Sequence, residues 1–211
     1  MADFSGFKSL KNAAAAEITV TKSRFICNVK RVECDDEAKE FIQSVKKKYA
    51  DARHNCYAYV LTKNSAYVKY SDDGEPQGTA GASMLEVLKN KGLYETAAVV
   101  TRYFGGVKLG VGGLKRAYAD AVSAALLKAG ECEFVYSRFY SVTVPQSMLK
   151  RLENAVESFG KKTGVTYLGA TVKLDFSVPA AEAENAVKAI TDLINGKAEI
   201  IATGEGYAEK K

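Results

Sequence analysis

The chain has 211 residues, 47% of them hydrophobic and 26% charged, and 30 Lys+Arg against 25 Asp+Glu give a formal net charge of +5. That length buries a real core, in one large domain or two small ones. No stretch is apolar for the ~18 residues that a membrane-spanning helix needs, and Met1 to Leu10, with Asp3 and no apolar run, does not read as a secretory signal.

Glu17 to Val32 alternates and is rich in β-branched residues, which predicts strand from about Thr19, as two strands or one long bent one. Asp35 and Asp36 then open a helix ending in Lys46-Lys47-Lys48. Phe41, Ile42, Val45 and Tyr49 recur on one face, and the charges suit the helix dipole. Cys56 to Leu61 and Ala66 to Ser71, joined by Thr62-Lys63-Asn64-Ser65, read as a β-hairpin. Asp72 to Gly81 is a loop by composition. A short helix follows, for which Ser83 and Glu86 make a capping box and Gly92 a stop. Thr96 to Phe104 is a continuous apolar run, predicted to be a central strand buried on both faces. Gly105 to Gly113 is a glycine loop opening a helix that ends at Gly130, with Leu114, Ala117, Ala121 and Ala125 on one close-packing face.

From Phe139 the pattern is strand (Phe139 to Pro145), helix (Gln146 to Gly160), two strands parted by Gly169, helix (Pro179 to Gly196) and a last strand to Gly204. The order β-α-β-β-α-β is the split βαβ arrangement of ferredoxin-like domains. Gly204 to Lys211 is expected to be a frayed tail.

Three constellations carry chemistry. Residues Arg102 to Arg116 hold five glycines (Gly105, Gly106, Gly110, Gly112, Gly113) with Arg102, Lys108, Lys115 and Arg116, and no acid lies between Glu95 and Asp120. Such a segment lets an anion approach backbone amides at a helix N-terminus. Tyr103 and Phe104 would stack on bases if they point outward. The competing reading is a tight strand-to-helix turn with a solvated charged rim. The segment is neither a Walker A loop nor a GxGxxG fingerprint. Asp72, Asp73 and Glu75 form an acidic loop that pairs with the basic glycine loop, holds a divalent ion or simply makes turns. His54, two residues before Cys56, is a candidate ligand contact, a local hydrogen-bonding residue or half of a Cys-His pair. The four cysteines, Cys27, Cys34, Cys56 and Cys132, form no CxxC pair and His54 is the only histidine, so neither a zinc pattern nor a disulfide framework is expected. Free thiols in a reducing cytoplasm are expected instead.

Ser23-Arg24-Phe25-Ile26, His54-Asn55-Cys56-Tyr57-Ala58-Tyr59, Asp72-Asp73-Gly74-Glu75-Pro76 with Gly78-Thr79-Ala80-Gly81, and Arg102-Tyr103-Phe104-Gly105-Gly106 with Lys108-Leu109-Gly110 and Gly112-Gly113-Leu114 together resemble the IMPACT family, also called uncharacterised protein family 0029, in its bacterial YigZ-like branch. The resemblance covers residues 17–130 and its two long motifs are specific. It implies an α/β (α+β) protein: a ribosomal protein S5 domain 2-like domain over residues 17–130 and a ferredoxin-like βαββαβ domain over residues 137–204, resembling the C-terminal domains of elongation factor G. Eukaryotic relatives act in translational control by binding an activator of a stress-responsive kinase. The chain is expected to lack their N-terminal RWD domain, so that partner is not carried over. Many relatives have a second histidine where Asn55 stands, which argues against a mechanism needing both, and a basic residue and proline where Ala82-Ser83 stands.

The leading expectation is a non-catalytic cytoplasmic protein associated with RNA or the ribosome, with Arg102, Lys108, Lys115 and Arg116 on phosphates and His54 or Tyr103 on a base or sugar. No cofactor, catalytic residue or resident metal is assigned, and neither membrane association nor sequence-specific DNA binding is expected. Two alternatives stay open. One is an enzyme that binds nucleotide or phosphate on the glycine loop, with Asp72, Asp73 or Glu75 on Mg²⁺ or as base. The other is an interaction module for a translation factor.

Overall fold

A computed structural model describes residues 6–61, 67–196 and 198–211. The chain divides into two compact units, Phe7–Cys132 and, with Gly6, Glu133–Lys211. The turn expected at Thr62 to Ser65 lies outside the described residues.

The first unit begins with two strands that extend the prediction toward the N-terminus: β1 (Phe7–Leu10) and β2 (Ala14–Val20). The alanine run Ala13 to Ala16 carries no β signal of its own. It is strand because Ala14 to Val20 pairs antiparallel with β3 (Ser23–Arg31), Ala14 opposite Val29 and Val20 opposite Ser23. The run is therefore two strands, and Thr21 and Lys22, both with positive φ (47° and 66°), make the turn between them. Helix α1 (Asp35–Lys48) follows, then β4 (His54–Val60), β5 (Val68–Ser71), α2 (Gly81–Asn90), β6 (Thr96–Tyr103) and α3 (Gly110–Ala129). The larger sheet has the order β2-β3-β6-β4-β5. All of its pairings are antiparallel. The central position of β6 explains its apolar run: every residue from Thr96 to Arg102 is buried.

One face of that sheet carries the larger core. Phe25, Cys27, Val29, Cys56, Ala58, Ala98 and Val100 pack there against Met84 and Leu88 of α2 and the Leu114-Ala117-Tyr118-Ala121-Val122-Ala125 face of α3. Tyr59, Ala97 and Val99 point the other way and pack on Ala38, Ile42 and Val45 of α1. The expected hairpin is present, Tyr57 opposite Ser71 and Val60 opposite Val68.

The second unit is built on β7 (Glu131–Pro145), which starts directly after Gly130 and is eight residues longer at its start than predicted. It continues with α4 (Leu149–Phe159), β8 (Lys161–Leu168), β9 (Thr171–Pro179), α5 (Ala183–Leu193) and β10 (Ile200–Glu209). Strand β7 pairs with β9 and β10, and β9 pairs with β8, giving the antiparallel order β10-β7-β9-β8. Val142, Val144, Leu174 and Phe176 face Leu152 and Val156 of α4 and Ala186 and Ile190 of α5.

The predicted frayed tail is a correction. Strand β10 runs to Glu209, opposite Phe134. Tyr207 stands edge-on to Tyr136 at 5.6 Å, Glu209 pairs with Lys161, and the Lys210 amide donates to the Glu133 carbonyl. These partners lie about 50 to 77 residues away, so the tail's composition carried no sign of them.

Candidate anion-binding cleft

The geometry starts at the end of the central sheet. Register places His54 opposite Arg102 and Asn55 opposite Thr101. Alternation then sends the Asn55 side chain inward, where its Oδ1 accepts from Thr101 Oγ1 at 2.7 Å, while His54 and Arg102 point to the same side. The acidic loop lies across that end, and the N-terminus of α3 closes the third side. Together they bound a cleft of about 720 Å³ lined by Asp51, Arg53, His54, Glu75, Pro76, Arg102 to Phe104, Lys108 to Val111 and Leu114.

Each carboxylate of the acidic loop has a separate task. Asp72 accepts backbone amides of Gly78 (2.8 Å), Ala80 (3.0 Å) and Gly81 (2.8 Å), so it caps α2 from nine residues upstream of its first residue. The predicted Ser83–Glu86 capping box is therefore corrected. The helix starts at Gly81, Ser83 lies within its first turn, and the cap residue Ala80 has no side chain to offer. Asp73 sits at φ 42°, a conformation short polar residues tolerate. Its Oδ2 accepts the Asn55 amide at 2.8 Å and its Oδ1 pairs with Lys46 at 2.8 Å. Glu75 alone turns into the cleft.

Glu75 and Arg102 are buried, 8% and 7% exposed. Arg102 Nη1 donates to both Glu75 oxygens, at 2.7 and 2.9 Å. The guanidinium is held between the Phe25 and Phe104 rings, whose centroids lie 5.5 and 5.6 Å away. Tyr118, on the inner face of α3, donates its hydroxyl to Glu75 Oε1 at 2.8 Å, and Cys56 Sγ lies 3.3 Å from that hydroxyl and 3.0 Å from the Asp72 carbonyl. Burial first, with Cys56 and Glu75 close by, pushes the Tyr118 phenol far up, so it remains a donor. Burial also pushes the Cys56 thiol up to about 12, offset only in part by the Tyr118 hydrogen bond. Arg102 Nε has no hydrogen-bond partner among the described residues.

His54 Nδ1 lies 2.9 Å from the Asp73 carbonyl. A carbonyl only accepts, so Nδ1 carries the hydrogen of this bond. His54 and Cys56 thus serve different partners, and no Cys-His pair forms.

The mouth of the cleft is the opposite in character. Lys108 and Arg53 are exposed, and no ion pair among the described residues involves them. Phe104, Val107 and Val111 are 57%, 44% and 59% exposed. Helix α3 begins at Gly110, with φ 70°, and Leu109 before it provides no side-chain cap, so the first-turn amides keep their donors.

The sequence-predicted residues therefore part company. The cleft gathers His54, Glu75, Arg102, Tyr103, Lys108 and Gly110. Tyr103 is tied down, its hydroxyl donating to Asp51 at 2.8 Å with Arg24 over its ring, so Phe104, which packs on Arg102 yet stays 57% exposed, is the more accessible aromatic. Gly106 (φ 87°) stays in the loop, but Gly112 and Gly113 are turns of α3 rather than loop. Gly105 is structural. Its amide donates to Ser23 Oγ at 3.1 Å, and a Cβ there would lie 2.0 Å from the Lys22 carbonyl carbon. Lys115 and Arg116 are exposed on α3, outside the cleft lining. Arg53 and Tyr118 were missed. Arg53 is one residue from the His54–Arg102 register pair, and Tyr118 is four residues after Leu114 on the helix's inner face.

All four cysteines are free thiols, Cys27 and Cys56 buried, Cys132 half-buried and Cys34 exposed. No helix among the described residues is long and apolar enough to cross a membrane.

Residues 21–126, which include every residue of the cleft lining, match the Impact N-terminal domain. Over 202 residues the chain is 42% identical to the IMPACT family member YvyE of Bacillus subtilis, covering 96% of this chain and 93% of that protein. It is 34% identical to the IMPACT family member YigZ of Escherichia coli over 197 residues, 90% and 97% of the two chains. A crystal structure described as that of a hypothetical protein superposes with a TM-score of 0.62 at 32% identity, covering 93% of this chain and 97% of the other. With nearly its whole length aligned in this way, the chain belongs to the IMPACT family, uncharacterised protein family 0029, in its bacterial YigZ-like branch.

Proposed function

We propose that this protein is a non-catalytic, RNA- or ribosome-associated factor of the translation apparatus that engages RNA through the cleft of its first unit. The observation that carries the reading is the meeting, in one concavity, of two cations without an ion pair among the described residues (Arg53 and Lys108), a helix N-terminus with no side-chain cap and an exposed aromatic ring (Phe104). Cations and helix amides supply phosphate affinity, and a ring beside them stacks on an unpaired base. The cytoplasm is the setting this implies.

The sheet order β2-β3-β6-β4-β5 with its helices supports an S5 domain 2-like first domain, residues 17–130. The order β10-β7-β9-β8 with two helices on one face supports a ferredoxin-like second domain, extended at both ends beyond residues 137–204. Magnesium held by the acidic loop is disfavoured by the commitment of Asp72, Asp73 and Glu75 to amides, Lys46 and Arg102.

Co-sedimentation with ribosomal subunits and 70S particles over a salt series tests the assignment. Wild type is expected to bind and to be released by salt, and a folded R53E/K108E double variant to stay in the supernatant. Absence of wild-type binding to ribosomes and to free single-stranded RNA would sink it. The exposed apolar side chains of Phe104 and Val111 in the cleft lining favour one second reading, a protein partner in translation, which salt-insensitive capture would reveal.

A further inference from the structure

Strands at the border of a sheet carry unpaired backbone groups, and proteins blunt them with charge, bulges, glycine or brevity. Three borders here are blunted. Along β2, Lys128 Nζ donates to the Ala15 carbonyl at 3.3 Å. Strand β5 has only four residues. Strand β10 shifts register between Ala202 and Gly204 and carries Gly204, Glu205, Gly206 and Glu209. Strand β8 differs. Among the described residues it pairs with β9 alone, and its devices (Lys161, Lys162 and a bulge between Lys162 and Gly164) all sit at its first end. The stretch Gly164-Val165-Thr166-Tyr167-Leu168 that follows has no charge, proline or bulge, and Tyr167 and Leu168 are 64% and 51% exposed.

The turn after β8 fixes which of its backbone groups are free. Leu168 and Thr171 stand opposite each other with only Gly169 and Ala170 between them, so they form a hydrogen-bonded pair. Bonded and non-bonded pairs then alternate. Gly164, Thr166 and Leu168 spend their N–H and C=O groups on β9, and Val165 and Tyr167 turn theirs outward.

An antiparallel strand that meets those groups must itself offer two outward residues with one between them, and β8 of a second copy does so. With Thr166 on the two-fold axis, Val165 exchanges both bonds with Tyr167 of the second copy, and Tyr167 with its Val165. The side chains agree with this register. On the face where Val165 packs against the core, an aromatic ring meets a β-branched side chain. On the other face Thr166 meets its own copy and Leu168 lies over the bare Gly164, both favourable neighbours. Charge does not oppose the approach, because Lys161 is paired with Glu209 and Lys162 with Glu153.

The geometry points to β8 as the contact between two copies of this chain, paired antiparallel through Val165 to Tyr167 so that the sheets of their second units become one. The stretch is short, so the dimer is a reversible one, with a dissociation constant on the order of 10–100 µM. It stands apart from the RNA-binding reading, which concerns the first unit.

Sedimentation velocity of the full chain over a concentration series tests the association, and Y167P tests its place. Proline at 167 deletes an outward N–H while leaving the bonds to β9, and should weaken the dimer by about ten-fold or more. Its thermal melt reports that the fold is intact. A second measurement removes no contact. In a C34S background, which lacks the exposed native thiol, T166C should oxidise to a covalent dimer, whereas T191C, exposed on α5 away from the edge, should not. Non-hydrogen-bonded partners lie about 4.5 Å apart at Cα, within the roughly 4.4–6.8 Å that a disulfide spans. Wild type that stays monomeric at about 1 mM, ten-fold above the weakest constant expected, with no T166C cross-link, would overturn the proposal and leave the edge to an extended segment of another protein. A dimer indifferent to Y167P would overturn its placement at β8. Cross-linking of T191C as fast as T166C would overturn the register, and if Y167P does not fold, the T166C result decides.

Discussion

The two ends of the cleft use the same residue types for opposite purposes. At the buried end an arginine, a glutamate, a tyrosine and a cysteine are linked by hydrogen bonds of 3.3 Å or less, and only Arg102 Nε is left without a partner among the described residues. At the mouth an arginine and a lysine form no ion pair among the described residues, and a helix terminus has no side-chain cap. The first arrangement is structure that happens to be charged. The second is surface held ready, because exposed charges without internal partners cost the fold almost nothing and remain available to a ligand. Charge alone does not separate a binding residue from a building residue; the presence of an internal partner does.

The largest contrast should appear in thiol chemistry. With the Cys56 thiol pushed up to about 12, only about one molecule in 10⁴ carries the thiolate at pH 8, and burial shields it further. A disulfide reagent should label exposed Cys34 at once and Cys56 only as the protein unfolds, followed by peptide mapping. Prompt labelling of Cys56 would mean that the buried cluster around Tyr118 and Glu75 is open. Next comes E75Q, which leaves the buried Arg102 without its counter-charge. A loss of about 3–5 kcal/mol in urea denaturation is expected. D72A should cost less, about 1–2 kcal/mol, through the uncapping of α2. At the mouth, R53E/K108E should change stability by less than about 0.5 kcal/mol and yet flatten the salt dependence of RNA binding by about 0.7 per phosphate contact removed. A destabilised mouth variant, or an E75Q protein as stable as wild type, would erase the distinction between the two ends.

Much of this was legible in the residue pattern. The apolar run of Thr96 to Tyr103 forced a central strand, the small-residue face of α3 forced close packing on the sheet, and the βαββαβ order emerged from strand and helix periods alone. What escaped was set by partners distant in sequence. Arg102 reads as a phosphate contact until Glu75, 27 residues earlier, is seen to hold it. Asp72 reads as a turn residue or a metal ligand until the Ala80 and Gly81 amides arrive on one of its oxygens. The β10 extension and the Ala14 strand are likewise decided by pairing rather than by propensity. Local pattern names the elements; long-range pairing decides which charges are spent.

The five glycines after β6 look interchangeable in the sequence, and the backbone divides them. At Gly105 the Lys22 carbonyl carbon occupies the space a methyl group would need, whereas at Gly112 nothing lies within 4 Å. A saturation library over this segment should therefore return glycine alone at 105 and almost any residue at 112. The β2–β3 turn and the cleft wall are thereby locked together through a single missing side chain. Lengthening or stiffening that turn, although it lies outside the cleft lining, would be felt at Arg102 and Phe104 as a displaced wall.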